Sequence, residues 1–424
     1  MWNDKGMEYV SRIIDREIGD LLEAVGAILI KGPKGCGKTE TARHFSASEV
    51  QIDDSLAVTT AMEADPAFLL QGDTPRLIDE WQEQPRLWNT VRHEVDRRRK
   101  KGQFLLTGSS TPRDEQLQGL HSGVGRFGVI NMGTMTWFER GWSTGQVSLS
   151  GVLDGEIPPS ASNDKRLTDI AGHMVTGGWP GNLDLNERQF SLANSSYFQL
   201  LTASDMSRVM GGMPDTVKVR RVMASLARNI ATECAATTIA KDVGGVDGPI
   251  DDVTVASYLG ALDRLMIKDD LPAWNTHIRS AARLRKSPKR HFCDPSVACM
   301  ALGLSADRLL ADLEYMGLLF ESAVIHDLRV YAGSLGAYLF HYRDSNGLEA
   351  DAIIEMPDGS WAAVEVKLGF GASDEAAKSL LAVAETIDQS KMGPPRALIV
   401  ITGSGFAHRR KDGVTVLPLG VLRD

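Results

Sequence analysis

The sequence carries one run whose residue types and spacing suit phosphate chemistry: Gly32-Pro33-Lys34-Gly35-Cys36-Gly37-Lys38-Thr39. It fills the phosphate-loop pattern G-x-x-x-x-G-K-[ST]. Its glycines let backbone N–H groups turn inward around a β-phosphate, and a following helix start adds partial positive charge. Lys38 is expected to reach the β- and γ-phosphates of ATP, and Thr39 to hold Mg²⁺. The carboxylates such a loop needs stand in Leu77-Ile78-Asp79-Glu80, Asp79 for the metal shell and Glu80 to orient the attacking water. In Phe104-Leu105-Leu106-Thr107-Gly108-Ser109-Ser110, Thr107 or Ser109 is placed to sense a γ-phosphate, or simply to cap the strand end. Charge developing on the transferred phosphoryl group calls for a cation. Arg126 is the candidate arginine finger, with a surface ion pair as the plain alternative. A finger acting in trans requires a homo-oligomer.

A second constellation lies near the C-terminus. Asp351-Ala352-Ile353-Ile354-Glu355 and Trp361-Ala362-Ala363-Val364-Glu365-Val366-Lys367 flank Met356-Pro357-Asp358-Gly359-Ser360. The Pro-Asp-Gly turn predicts a hairpin, and folding about Asp358 sets Asp351 opposite Glu365. Glu365 and Lys367 are two apart and share a face. Converging carboxylates can hold a metal that polarises a phosphate and acidifies a bound water, with a lysine to steady the charge. Glu321, in a helix expected around Leu318–Val324, adds a third carboxylate, so the metal set reads Glu321, Asp351 and Glu365. The plain alternative is a hairpin with an E-x-K surface pair.

These residues need elements to position them. Up to about residue 145, helix and strand signals alternate: a helix over Tyr9–Val25 and short apolar strands at Ala27–Ile30, Arg76–Asp79 and Gln103–Thr107. That alternation predicts an α/β P-loop NTPase fold, a parallel sheet with helices on both faces. Residues 146–164, rich in Gly, Ser and Pro, read as a linker. Residues 165–290 read as helical, with helices at Thr216–Thr232, Thr237–Val243 and Val253–Leu265 before an extended Ile267–Trp274, the order of a winged helix. Residues 291–424 mix β and α, with extended runs at Ala337–Arg343, Ala350–Glu355, Trp361–Lys367 and Arg396–Thr402. About three domains also suit a length of 424 residues.

The net charge of −9 argues against a protein that coats nucleic acid through its whole surface. Contact with DNA or RNA would need local patches, and two basic runs qualify. They are Arg97–Lys101 and the group Arg279, Arg283, Arg285, Lys286, Lys289 and Arg290. Arg97–Lys101 reads first as the end of a solvated helix, where cations suit the dipole, and the second group reads equally as a solvated basic loop. Cys36, Cys234, Cys293 and Cys299 form no C-x-x-C pair, which suits a reduced, cytoplasmic setting. No apolar run is long enough for a membrane span, so no membrane partner is expected.

The segments LIKGPKGCGKTETA, LIDEWQ, FLLTGSS and VGRFGVINMGTMTWFERG resemble a large prokaryotic family of AAA-type ATPases carrying a C-terminal domain of unknown function. Gly177-Gly178-Trp179-Pro180 matches the turn near the start of its later region, and the helix-turn-helix-like pattern of Thr237–Val243 and Asp251–Leu259 resembles the family's winged helix. The resemblance implies ATP binding and hydrolysis without supplying a physiological role. The Glu321, Asp351, Glu365-Val366-Lys367 pattern resembles the PD-(D/E)xK restriction-endonuclease-like superfamily, although Ala350 stands where that pattern has proline. The resemblance implies metal-dependent nucleic-acid cleavage with Glu365 and Lys367 catalytic. The competing reading is an ATP-gated binding or scaffold protein whose nuclease-like domain does not cleave. A phosphotransferase is a third, which the paired Asp79-Glu80 disfavours because it suits water as acceptor.

Overall fold

The computed structural model describes residues 9–111, 122–156, 161–245, 248, 250–275 and 287–424. The chain forms two compact units, Met1–Thr134 with Arg264–Met266, and Met135–Asp263 with Ile267–Asp424.

In the first unit the order is α1 (Asp15–Ala24), β1 (Ala27–Lys31), α2 (Lys38–His44), β2 (Ser48–Gln51), α3 (Leu56–Ala64), β3 (Arg76–Asp79), α4 (Leu87–Arg98), β4 (Phe104–Gly108) and β5 (Phe127–Asn131). The strands lie in the order β2-β3-β4-β1-β5, and every neighbouring pair is parallel. Alternate residues of β1 explain why it is apolar throughout. Ala27 and Leu29 pack with Trp88, Val91 and Val95 of α4, while Ile28 and Ile30 pack with Ile18 of α1 and Ala42 of α2. Helices therefore cover both faces, as the alternation predicts. Two strands, β2 and β5, have no apolar run in the sequence. Both are edge strands on which exposed or half-buried residues alternate with more buried ones; β2 is mostly polar (Ser-Glu-Val-Gln), while β5 (Phe-Gly-Val-Ile-Asn) leaves Val129 exposed. Helix α1 starts later than Tyr9, because Asp15 accepts from the Tyr9 hydroxyl (2.6 Å) and the Arg12 N–H (2.9 Å) at its N-terminus.

The boundary falls at Thr134, not near residue 145. Trp137 N–H donates to Asp327 at 2.9 Å and Trp142 stacks on His173 at 4.0 Å, which ties 135–145 to the second unit. The expected linker is also built in. Val147–Ser148 pairs with Leu422–Arg423, Ser162–Asn163 pairs with Gly405–Phe406, and Leu149, Val152 and Leu153 are buried.

The longer elements of the second unit begin with α5 (Leu167–Thr176), α6 (Glu187–Leu200), α7 (Thr216–Arg228), α8 (Ala236–Gly244) and α9 (Asp252–Arg264). Asp215 caps α7 by accepting from the N–H groups of Val217 and Lys218. Then come α10 (Pro295–Leu302), α11 (Leu313–Ser334), β6 (Tyr338–Arg343), β7 (Glu349–Glu355), β8 (Trp361–Lys367), α12 (Ser373–Thr386), β9 (Ala397–Thr402) and β10 (Thr415–Pro418). The sheet runs β10-β9-β8-β7-β6, with His408–Arg409 on the outer edge of β10. β6, β7 and β8 are antiparallel to one another, and β8, β9 and β10 are parallel. Trp361, Ala363, Ile353 and Val400 pack against Leu380 and Val383 of α12. The helical and sheet parts are one unit because the segment before α10 is shared. Lys289 pairs with Leu271, while Ala273, next in line, pairs with His341 of β6. Among the described residues no helix is long and apolar enough to cross a membrane.

Candidate functional site

β1 ends at Lys31 and delivers the phosphate loop directly into α2. Gly35 and Gly37 have φ of 79° and 102°, the left-handed region that glycine enters freely. Gly32 is required for another reason: a Cβ there would lie 2.1 Å from the Met132 carbonyl oxygen. Lys38 opens α2, is buried, and donates from Nζ to Pro33 O of its own loop at 2.9 Å. Thr39 Oγ1 donates to Asp79 Oδ1 at 2.9 Å, and Thr107 Oγ1 donates to the same oxygen. A hydroxyl and a carboxylate in contact beside the loop form a hard-oxygen donor set of the kind Mg²⁺ takes. Thr39 and Asp79 therefore fit the metal expected there.

Glu80 follows at the end of β3 with φ 56°. Its carboxylate accepts from Ser109 Oγ at 2.9 Å and from Gln82 Nε2, and Gln82 also reaches Ser109 at 3.4 Å. Thr107 and Ser109 thus meet the two carboxylates from the neighbouring strand, Thr107 on Asp79 and Ser109 on Glu80. Arg126 is not part of this cluster. Its Nε donates to Asp96 of α4 at 3.0 Å, and its side chain is 44% exposed. Two participants escaped the sequence reading. Gln82 orients Glu80, and buried Arg12 donates to Cys36 O (2.9 Å) and Gly133 O (3.1 Å), bracing the loop from the preceding segment. Neither has a motif to announce it.

In the second unit the hairpin has the expected register, Glu355 opposite Trp361 through Ala352 opposite Val364. Asp351 Oδ2 accepts from Val366 N–H at 2.9 Å, next to Glu365. Glu321 of α11, Asp351 and Glu365 come together and are each buried. The expected metal set is nevertheless filled differently. Lys289 Nζ lies 2.7 Å from Glu321 and 2.9 Å from Asp351, in the middle of the carboxylates. Among the described residues, no three or more His, Cys, Asp or Glu side chains are arranged to hold a metal ion. The group does not fit a metal as it stands, because an ammonium already supplies the positive charge. Lys367 Nζ pairs with Glu365 Oε1 at 2.9 Å, while Glu365 Oε2 is buried with no hydrogen-bond partner.

Burial works against charge on Lys289, but Asp351 and Glu321 more than reverse this and hold its ammonium well above the ordinary lysine range. Burial, then the neighbouring Asp351, pushes Glu321 and Glu365 up, Glu365 to about 7. A carboxylate whose folded pKa is raised binds its proton more tightly in the folded state. Its contribution is present below the unfolded value near 4.5 and is lost as pH climbs to about 7. We therefore expect the urea midpoint of the second unit to fall from about pH 4.5 to about pH 8, because Glu321 is pushed up to about 8 beside Glu365. Glu365→Gln should remove up to about 3 kcal/mol of that fall. An unchanged slope in the variant would show that Glu365 titrates normally.

The basic patches are also resolved in part. Arg97 and Arg98 both bond Glu94 of their own helix. In the second run Lys289 and Arg290 point inward: Arg290 donates to Cys234 O (2.9 Å) and to Asp270 (2.5 Å), and both side chains are buried. They are structural cations and not free for phosphate contact. Arg279, Arg283, Arg285 and Lys286 lie outside the described residues.

Comparison with known proteins gives a coherent picture for the first unit. Residues 25–140 match the family model described as an AAA domain. Residues 167–308 match a domain of unknown function (DUF8612), and residues 316–422 match another (DUF4143). Uncharacterized proteins of Mycobacterium bovis (Mb2031c) and Mycobacterium tuberculosis (Rv2008c) are each 25% identical over 339 residues, covering 79% of this chain and 69% of theirs. Among solved structures, the Thermotoga maritima RuvB Holliday junction branch migration motor aligns at 16% identity. It covers 61% of this chain and 89% of its own, with a TM-score of 0.28. The Aeropyrum pernix ORC1 protein in complex with DNA aligns at 12% identity over 70% and 93%, with a TM-score of 0.25. The family match, the five-stranded parallel sheet and the complete phosphate loop together make the first unit an AAA-type P-loop NTPase domain.

Proposed function

We propose that the chain binds ATP with Mg²⁺ and hydrolyses it at the first unit, and that the second unit is a binding module gated by nucleotide rather than a nuclease. The observation that carries the first part is the contact between Thr39 and Asp79 beside the loop, with Glu80 held one residue further on. Thr39 and Asp79 would hold Mg²⁺, which would supply positive charge for the transferred phosphoryl group. Lys38 would leave Pro33 O for the phosphates. Glu80, steadied by Ser109 and Gln82, would orient the water and accept its proton. Thr107 is the candidate that links the γ-phosphate to Asp79. The second part is supported by Lys289, whose ammonium takes up two of the carboxylates that metal-dependent cleavage would use.

The test is phosphate release with and without DNA or RNA, read alongside scission of the same nucleic acid in Mg²⁺ and Mn²⁺. Expected are turnover lost in Lys38→Ala and intact strands. Metal-dependent scission lost in Asp351→Ala or Lys367→Ala would reinstate the nuclease reading, with Glu365 and Lys367 catalytic.

Arg126, paired with Asp96 and outside the cluster around Glu80, is proposed as a finger for a second copy of the chain. If so, turnover per chain rises with protein concentration in the wild type. It stays flat and about 10²-fold or more lower in Arg126→Ala at high concentration. Equal turnover in the two proteins would assign Arg126 to the ion pair alone.

A further inference from the structure

We propose that the second unit holds a binding site for a small apolar acid, with the acid's carboxylate between Arg228 and Arg308 and its hydrocarbon body on a leucine floor. It goes beyond the function proposed above, since no residue of the phosphate loop or of the carboxylate cluster lines this site.

The second unit has a cavity of about 350 Å³ where the ends of four helices meet. Small-ligand sites run from roughly 300 to 1,000 Å³. Local sequence builds the walls. Gly303 takes φ 61° and ends α10, and Leu302 and Leu304 on either side of it line the cavity. Ser305 caps the short helix Ala306–Leu310, which contributes Leu309. Asp312 caps α11 by accepting from Tyr315 N–H at 3.0 Å. Tyr315 Oη donates to Ala227 O at 2.9 Å, which fixes its ring against the end of α7. Three leucines and a tyrosine ring thus make most of the lining apolar.

Two cations stand in that lining with donors to spare. Arg308 NH1 donates to Gly303 O at 3.0 Å, and its Nε and NH2 have no partner among the described residues. The side chain of Arg228 reaches only Asp242 among the described residues, at 3.8 Å, too long for a hydrogen bond. A guanidinium presents its N–H donors as a rigid fork that matches a carboxylate. Asp312 also lines the cavity and offsets one arginine, which leaves a single positive charge. That balance suits a monoanion rather than a doubly charged phosphate. The apolar lining strengthens a charge-assisted pair by lowering the local dielectric. It also selects a hydrocarbon body, because a polar group buried there without a partner is costly.

The experiment is calorimetric titration of the full-length chain with octanoate and with octanol, which share an apolar body and differ in charge. Octanoate is expected to bind the wild type at least ~10-fold more tightly than octanol. Arg228→Ala with Arg308→Ala should weaken octanoate at least ~10-fold and leave octanol within about twofold, so that the preference for the acid disappears. Both arginines are exposed, so the double variant should keep the thermal midpoint of the wild type, which is checked first. Three results overturn the proposal: no octanoate binding by the wild type below about 5 mM, equal affinity of the wild type for acid and alcohol, or octanoate binding unchanged in the double variant. Should the double variant fail to fold, the comparison of acid with alcohol in the wild type decides alone.

Discussion

Glu80→Gln is expected to lower ATP turnover by about 10²–10³-fold while leaving nucleotide affinity within about threefold. The amide preserves the volume and can still meet Ser109 and Gln82, but it cannot take a proton from water. Lys38→Ala should instead lose both turnover and affinity. Its ammonium stands buried at the start of α2, hydrogen-bonded to Pro33 O of the loop. Phosphate release and binding of a fluorescent nucleotide separate the two. Turnover of Glu80→Gln within about threefold of wild type would remove Glu80 from the chemistry and leave Asp79 to be examined as the base.

Lys289→Met should lower the stability of the second unit by about 3–5 kcal/mol, since removing one partner of a buried ion cluster leaves uncompensated charge. Lys367→Met serves as the comparison. It breaks a lysine–glutamate pair in the same cluster, but its side chain is 36% exposed and it holds one carboxylate where Lys289 holds two, so a smaller loss is expected. Urea unfolding of both variants at pH 7.5 measures the difference. Equal midpoints would mean that solvent reaches Lys289 far more than its packing indicates.

How much of this was legible depends on how local each feature is. The phosphate loop is eight consecutive residues, and its geometry follows from glycine and a helix start, so the sequence states it in full. Asp79 and Glu80 needed only the further inference that β3 ends near β1's loop. The hairpin register followed from one turn, because strand pairing around a Pro-Asp-Gly turn has few options. Lys289 was invisible for the opposite reason. It meets Glu321 and Asp351 across 32 and 62 residues. In sequence it stands among other basic residues, where solvent exposure is the ordinary expectation. Arg126 shows the same limit: a cation beside a glycine turn is compatible with a finger or an ion pair, and the Asp96 partner on α4 is 30 residues away in sequence. Edge strands β2 and β5 lacked the apolar run that marks their buried neighbours, because half of each faces outward.

The shared position of Lys289 also bears on how the protein can be cut. A fragment beginning at residue 291, where composition suggests a boundary, or at 316, where the DUF4143 match begins, excises the lysine and keeps all three carboxylates. Such a piece would keep Lys367 on Glu365 but lose the ammonium that pairs with Glu321 and Asp351, and its behaviour in isolation would misreport the intact chain. The unit of inheritance read from sequence comparison and the unit of electroneutrality read from the fold do not coincide here. Any dissection of this protein has to keep residues 287–291 with the sheet that follows them.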